Sequence, residues 1–163
     1  MKRRLFCMLL ILALLPLPAQ GSGEAVTRGE FLLLLWERWG GVPFDKTAHP
    51  FTDLAGRDDL AQAAAWAYGL GLVKGVGEDR FAPDRPLTRE ECAHILRRND
   101  ARLGRDVFLP DGAAACNDYQ DISPWADDSL YWACIMGRLP WRDCRLAPLA
   151  PITPEEAAYV LLP

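Results

Sequence analysis

The 163-residue sequence carries 18 lysines and arginines against 22 aspartates and glutamates, for a formal net charge of −4 at neutral pH. This acidic balance argues against a broad nucleic-acid-binding surface, which requires clustered basic residues. A chain of this length fits one domain with a hydrophobic core of ordinary size.

Residues 1–21 have the order of a secretory signal peptide. Three basic residues come first, then the apolar run "LFCMLLILALLPLPA", then small residues. This order predicts cleavage after Ala19 or Gly21 and a single mature domain over 22–163. The apolar run is too short for a comfortable membrane span, and no other stretch approaches the ~20 residues that a spanning helix needs. We therefore expect an exported protein with no membrane span in its mature form.

Four cysteines follow the leader: Cys92, Cys116, Cys134 and Cys144. An even number of cysteines in an exported chain predicts two disulfides, for which three pairings exist. Because three of the four cysteines crowd into the last segment, one bridge is expected within the group Cys116, Cys134 and Cys144.

The sequence repeats itself. "FAPDRPLTREECAHILR" at 81–97 aligns without a gap to "LAPLAPITPEEAAYVLL" at 146–162, and upstream "FTDL" at 51–54 aligns to "YQDI" at 119–122. The fragment "AVTRGEFLLLLWERWG" at 25–40 matches only the later half of this unit. The chain thus divides into a partial repeat (25–48), a middle repeat (51–104) and a divergent third repeat (119–163).

Each full repeat reads as two helices joined by a loop rich in glycine or proline, which predicts an all-α fold. The second helix begins with Thr-x-x-Glu, a capping box in which each side chain bonds the backbone amide of the other residue. All three copies keep this pair, which predicts a structural capping role for Thr27, Glu30, Thr88, Glu91, Thr153 and Glu156.

Arg28 and Arg89 follow the capping threonine, where the helix dipole makes a cation mildly unfavourable. The third repeat has Pro154 there, a residue well suited to a first helical turn. The arginines therefore serve another purpose. Either they hold an anion together with free helix-start amides, or they pair with nearby carboxylates such as Glu30, Asp84 or Glu90. The sequence leaves both open.

The order F-x-D, W-A, G-L-V-x-G, F-x-P-D and T-R-x-E within 51–91 resembles an S-layer homology repeat, and the segments 26–31 and 119–162 resemble its neighbours. The resemblance implies a pseudo-threefold helical bundle of helix-loop-helix repeats. It also implies that grooves between adjacent copies bind secondary cell-wall polysaccharide, a glycan that often carries a pyruvyl ketal.

The same resemblance implies a set of glycan-binding residues. The arginine and the aromatic-x-Asp aspartate are expected to contact sugar, and the tryptophan and loop glycine to complete the site. Structural alternatives exist for each position, because the aspartates can cap a helix or turn, the tryptophan can be core and the glycine can serve loop geometry. The implied residues are Arg28, Arg89, Asp53, Asp121, Trp66 and Gly75.

We expect an exported, noncatalytic module of the bacterial cell wall or cell surface that recognises an anionic secondary cell-wall polysaccharide, with a pyruvylated glycan as one candidate. No catalytic motif, cofactor motif or metal-ligand spacing appears, and His49 and His94 have no suitably spaced ligand partner, so neither enzyme activity nor a cofactor is expected. The alternative is a disulfide-stabilised extracellular scaffold for protein interaction that has lost glycan binding. A glycan binder requires the two arginines exposed in grooves, whereas a scaffold tolerates them in salt bridges.

Overall fold

The computed structural model describes residues 25–109 and 116–162, so the predicted leader lies outside the described residues. This part of the chain contains five α-helices and no β-strand, which confirms the predicted all-α class. None of these helices is long and apolar enough to cross a membrane. The helices are α1 (Arg28–Arg38), α2 (Asp58–Gly69), α3 (Arg89–Arg102), α4 (Ser129–Ile135) and α5 (Pro154–Val160).

The helices follow the sequence repeats. The partial repeat contributes α1, the middle repeat contributes α2 and α3, and the third repeat contributes α4 and α5. Short 3₁₀ turns precede the first helix of each full repeat: Thr52–Leu54 lies ahead of α2, and Tyr119–Asp121 and Pro124–Ala126 lie ahead of α4. Helices α1, α3 and α5 are therefore equivalent second helices, and α2 and α4 are equivalent first helices.

All three second helices begin with a complete capping box. In α1 the Thr27 hydroxyl accepts from the Glu30 amide at 3.2 Å, and the Glu30 carboxylate accepts from the Thr27 amide at 2.8 Å. These bonds satisfy amides that a helix start leaves without intrahelical partners. Local sequence alone therefore defines where α1, α3 and α5 begin.

The buried apolar side chains form one core cluster to which all five helices contribute. Helix α1 packs against α2, and α3 packs against α4. Alanines such as Ala63, Ala64 and Ala67 bury the inner face of α2, while the large Trp132 fills the same role on α4 with only 1% of its surface exposed. The core thus joins the three repeats into one packed unit.

A closed ring of backbone hydrogen bonds links the starts of the second helices. The Val26 amide donates to the Ile152 carbonyl at 3.2 Å, the Ile152 amide to the Leu87 carbonyl at 2.9 Å, and the Leu87 amide to the Val26 carbonyl at 2.9 Å. Each of these residues immediately precedes a capping threonine. Equivalent positions of the three repeats therefore meet at one point in the molecule.

The structure has all four described cysteines as free thiols, so it does not show the two disulfides predicted from the cysteine count. Cys92 and Cys134 are buried, Cys116 is half-buried and Cys144 is exposed. The Cys134 sulfur instead accepts a hydrogen bond from Arg89 at 3.7 Å. An even number of cysteines thus did not by itself establish bridges in this fold.

Candidate functional site

Arg28, at the first position of α1, connects the partial repeat to the middle repeat. Its Nε donates to the Phe81 carbonyl at 3.0 Å and its Nη1 to the Glu91 carboxylate at 3.0 Å. Only 7% of the residue is exposed, and burial lowers the pKa of its guanidinium although Glu91 opposes the shift. Both partners belong to the next repeat, and Glu91 is also the capping glutamate of α3.

Arg89 repeats this arrangement one unit later and is completely buried. Its Nε donates to the Leu146 carbonyl at 2.6 Å, its Nη1 to the Glu156 carboxylate, and its Nη2 to the Pro140 carbonyl at 2.7 Å. Its exposed fraction is 0%. The side chain therefore offers no surface to a ligand in this conformation.

The helix-start amides beside both arginines are also occupied. In α1, the Arg28 amide donates to the Arg85 carbonyl at 3.0 Å and the Gly29 amide to the Pro83 carbonyl at 2.9 Å. In α3, the two equivalent amides donate to the carbonyls of Ala150 and Pro148. The sequence left two explanations for the arginines, anion binding and pairing with a carboxylate. In the structure both arginines form ion pairs. Their partners are the capping glutamates of the next repeat.

Asp53 holds the loop that leads to the second helix of the middle repeat. Its carboxylate accepts from the Phe81 amide at 2.9 Å and the Ala82 amide at 2.8 Å. Burial alone would raise the pKa of Asp53, but these two backbone bonds and the nearby Arg80 outweigh it, so the pKa lies below its usual value. These contacts fit the structural alternative, in which the aspartate stabilises a turn.

In the third repeat this role belongs to Asp118, so the repeat extends upstream of its predicted start at 119, whereas Asp121 is exposed on a 3₁₀ turn. The Asp118 carboxylate accepts from the Leu146 amide at 3.0 Å and the Ala147 amide at 2.8 Å. Sequence reasoning missed Asp118 because "FTDL" looks most like "YQDI". The signal was nevertheless present: the 65-residue offset that aligns 81–97 with 146–162 also aligns Asp53 with Asp118.

Trp66 and Gly75 both have structural roles. Trp66 is half-buried and packs against the core cluster. Gly75 has φ +83°, and an added Cβ would lie 2.7 Å from both the Arg80 carbonyl oxygen and the Phe51 ring. Only glycine fits there without strain. Glycan binding by the six residues implied by the family resemblance stays a prediction.

A cleft of about 650 Å³ opens beside Arg28 and Gly75, two of those six residues. The other four do not line it. Its walls come from the start of α1, the 72–76 loop, helix α3, and Trp125 and Leu149 of the third repeat. We call this cleft the basic groove, because four of its lining residues carry positive charge: Arg28, Lys74, Arg85 and Arg98.

The two carboxylates of the basic groove are already bound. Glu90 is buried and accepts from the Ser123 amide at 2.9 Å and the Ser123 hydroxyl at 2.8 Å. Glu91 accepts from Arg28 at 3.0 Å and from Arg85 at 2.5 Å, and it caps α3. Lys74 is exposed and forms no ion pair with the described part of the chain.

Trp125 gives the groove an aromatic wall. Its side chain is 53% exposed, and its ring meets the His94 ring edge to face with centroids 5.6 Å apart. Sequence analysis missed Trp125, Lys74, Arg85 and Arg98 as site residues, since no spacing pattern connects these separate segments. Within residues 25–109 and 116–162, no group of three or more His, Cys, Asp or Glu side chains could hold a metal ion.

Several proteins resemble this chain in sequence. An endoglucanase of Bacillus sp. (strain KSM-635) is 29% identical over 140 residues, which cover 85% of this chain and 14% of the endoglucanase. The surface-layer 125 kDa protein of Lysinibacillus sphaericus is 32% identical over 113 residues, which cover 61% of this chain and 9% of that protein. A cell surface protein of Thermoanaerobacter kivui is 28% identical over 90 residues, covering 54% of this chain and 11% of its own length. The chain therefore corresponds to a small part of each relative.

A family profile identifies the part that is shared. Residues 50–93, which include α2, the 72–76 loop and the start of α3, match the S-layer homology domain. A domain of this family is a noncatalytic anchoring module and indicates a location at the cell surface or in the cell wall. The match over residues 50–93 confirms the S-layer homology repeat that the order of the motifs predicted for 51–91.

Proposed function

We propose that this protein attaches to the bacterial cell wall by binding an anionic wall polysaccharide in the basic groove. The observation that carries the proposal is the excess of positive charge in a cleft whose own carboxylates are already bound. Basic side chains gathered in a cleft focus a positive potential that attracts carboxylate or phosphate groups. The chain as a whole is acidic, so this local charge differs in sign from the net charge.

The groove also suits the shape of an acidic sugar. Lys74 offers a mobile point charge. Arg85 and Arg98 each donate once within the protein, to Glu91 and to the Leu72 carbonyl, and their remaining guanidinium donors can bind a carboxylate. Trp125, together with Val76 and Leu149, supplies apolar surface beside these charges. A pyruvyl ketal combines a carboxylate with a methyl group, and the groove presents complementary chemistry for both.

The proposal includes the arrangement of the repeats. We propose that the partial, middle and third repeats form one domain with pseudo-threefold symmetry about the starts of their second helices. The ring formed by Val26, Leu87 and Ile152 supports this arrangement, because each repeat contributes one equivalent residue. The basic groove then lies where the partial repeat meets the middle repeat, with the third repeat as its far wall.

A second candidate is a structural or protein-interaction scaffold that does not bind glycan. The specific observation in its favour is the complete burial of Arg89, whose donors are all directed to protein acceptors. The two candidates differ in the basic groove, since a scaffold would not depend on Lys74 or Trp125.

The test is co-sedimentation with purified bacterial wall sacculi, prepared with and without their secondary polymer. We expect polymer-dependent pelleting of the wild type that weakens with added salt, because salt screens exposed charges. Lys74→Glu should reduce the bound fraction at limiting polymer roughly tenfold, through the loss of one favourable charge contact. The matched control is Lys46→Glu, because Lys46 is exposed but does not line the groove.

Three outcomes would contradict the proposal. Equal pelleting on walls stripped of the polymer would exclude the polysaccharide as the ligand. Equal pelleting of Lys74→Glu and the wild type would exclude the basic groove as the binding site. Folded wild-type protein that does not pellet with any wall preparation would favour the scaffold.

A further inference from the structure

Two cysteines of the third repeat occupy positions where the middle repeat has a pair of side chains in contact. We propose that Cys116 and Cys134 form a disulfide when the protein meets an oxidant at the cell surface, joining the entry of the third repeat to α4. This inference goes beyond wall attachment and depends only on the surface location.

The position of Cys134 corresponds to Tyr68, because α2 and α4 end with the same hydrogen bonds. After α2, the Gly71 amide donates to the Tyr68 carbonyl at 2.9 Å, and Gly71 has φ +70°. After α4, the Gly137 amide donates to the Cys134 carbonyl at 3.3 Å, and Gly137 has φ +64°. The two helix ends therefore share the same backbone hydrogen bond, with Cys134 at the position of Tyr68.

The position of Cys116 corresponds to Phe51. Asp53 and Asp118 each accept two loop amides, from residues 81 and 82 in one repeat and from residues 146 and 147 in the other. Phe51 lies two residues before Asp53, and Cys116 lies two residues before Asp118. The same 65-residue offset connects all of these positions.

The middle repeat shows that side chains at the two positions touch. The rings of Phe51 and Tyr68 meet edge to face with centroids 5.6 Å apart. In the third repeat, Cys134 is part of the core cluster and Cys116 packs against it. Burial raises the pKa of the Cys134 thiol to about 11, and the neighbouring Cys116 adds to that rise. Two thiols therefore take the place of one aromatic contact.

The remaining described cysteines are less suitable partners. Cys92 lies on α3 and is completely buried, and burial raises the pKa of its thiol far above the ordinary value. Cys144 is exposed on a tight turn with φ +62°, where the middle repeat has the exposed Asp79. Neither position corresponds to a contacting pair of side chains in the middle repeat.

The chemistry is a thiol–disulfide exchange with an external disulfide, such as oxidised glutathione. Cys116 is the more accessible thiol, so its thiolate attacks first, forms a mixed disulfide and releases one glutathione thiolate. The Cys134 thiolate then attacks the Cys116 sulfur, forms the protein disulfide and releases the second thiolate. The protein loses two electrons and two protons, and the glutathione disulfide gains them as two thiols.

Peptide mapping after oxidation tests the pairing. The protein is equilibrated with oxidised glutathione, treated with an alkylating reagent and digested with trypsin, which releases residues 106–138 as one peptide containing both cysteines. We expect this peptide to be lighter by two hydrogen atoms and to resist alkylation until it is reduced. A second protease that cuts between the cysteines should leave two linked fragments.

Three variants complete the test. Cys116→Ser and Cys134→Ser should abolish the linked peptide, whereas the exposed-site control Cys144→Ser should retain it. Oxidation should raise the Tm of the wild type and of Cys144→Ser by roughly 5 to 10 °C, because the bridge restricts the unfolded chain. The inference is overturned if residues 106–138 remain alkylated at both cysteines after oxidation, or if Cys116 or Cys134 is instead linked to Cys144. Mapping of the wild type decides the question even if Cys134→Ser does not fold.

Discussion

At the scale of single residues, the arginine after the capping threonine links one repeat to the next. Arg28 and Arg89 each donate through Nε to the first carbonyl of the following proline loop, Phe81 or Leu146. Each also binds the next capping glutamate. A buried guanidinium is tolerated only when a counter-charge and hydrogen-bond acceptors replace its water. The following repeat supplies both, which explains an arginine where the helix dipole disfavours one.

Asp118 provides a prediction at this scale. We expect Asp118→Asn to lower the free energy of unfolding at pH 7 by about 1 kcal/mol, because a neutral amide oxygen replaces a carboxylate that accepts two backbone amides. Burial would raise the pKa of Asp118, but the amides of Ala147 and Leu146 outweigh it and lower the pKa. A depressed pKa stabilises the fold above the unfolded value of about 3.9, and this contribution is lost as the pH falls through the folded pKa.

Urea denaturation between pH 7 and pH 3 measures this effect. The difference between wild type and Asp118→Asn should be constant down to about pH 5 and should shrink below about pH 4. Asp121→Asn is the matched control, because Asp121 is exposed on its turn and should change little. A larger loss of unfolding free energy from Asp121→Asn than from Asp118→Asn would mean that the alignment of "FTDL" with "YQDI" identifies the equivalent of Asp53 correctly.

At the scale of helices, α5 explains why the third repeat has proline where the others have arginine. The arginines of α1 and α3 bind a loop carbonyl and a capping glutamate from the next repeat. Pro154 instead lines a cleft with Glu30 of the partial repeat. The described part of the partial repeat has no first helix and no preceding loop that could supply the carbonyl. An arginine at 154 would therefore meet only half of its usual partners.

The corresponding prediction concerns Pro154→Arg. We expect this substitution to lower the free energy of unfolding by about 1 kcal/mol, because it loses the rigid proline turn and places a cation at a helix start. Pro154→Ala separates the two causes, since it removes the proline without adding charge. Thermal unfolding of the three proteins provides the comparison. If Pro154→Arg proves more stable than Pro154→Ala, Glu30 alone is a sufficient partner and no loop carbonyl is required.

At the scale of the whole molecule, the three repeats meet at the ring of Val26, Leu87 and Ile152. Each residue both donates to and accepts from another repeat, so no bond of the ring is local in sequence. Leu87 and Ile152 are fully buried within the core cluster. The ring can open only if the repeats separate.

Amide hydrogen exchange measures this coupling. We expect the amides of Val26, Leu87 and Ile152 to exchange slowly and with similar protection, because one opening event exposes all three. The Val76 amide, which bonds Arg80 across an exposed turn, is the reference for a local opening and should exchange much faster. If Val26 exchanges at the rate of Val76 while Leu87 stays protected, the partial repeat is attached independently of the other two.

Local interactions are the part that the sequence alone determined. The three capping boxes, the all-α class and the repeat boundaries around the second helices all follow from residues a few positions apart. A capping box acts over three residues, so its pattern is complete in the sequence. The 65-residue offset also contained the true equivalent of Asp53, although a closer match of letters obscured it.

Partners that lie far apart along the chain were decided only by the tertiary structure. The sequence showed that helix formation does not explain Arg28 and Arg89. It did not identify the glutamates that pair with them, because these lie more than sixty residues away along the chain. Lys74, Arg98 and Trp125 become neighbours only when the 72–76 loop, α3 and the third repeat pack together. Whether a charged side chain is buried in an ion pair or exposed in a groove depends on that packing, because desolvation and access to solvent are properties of the assembled core.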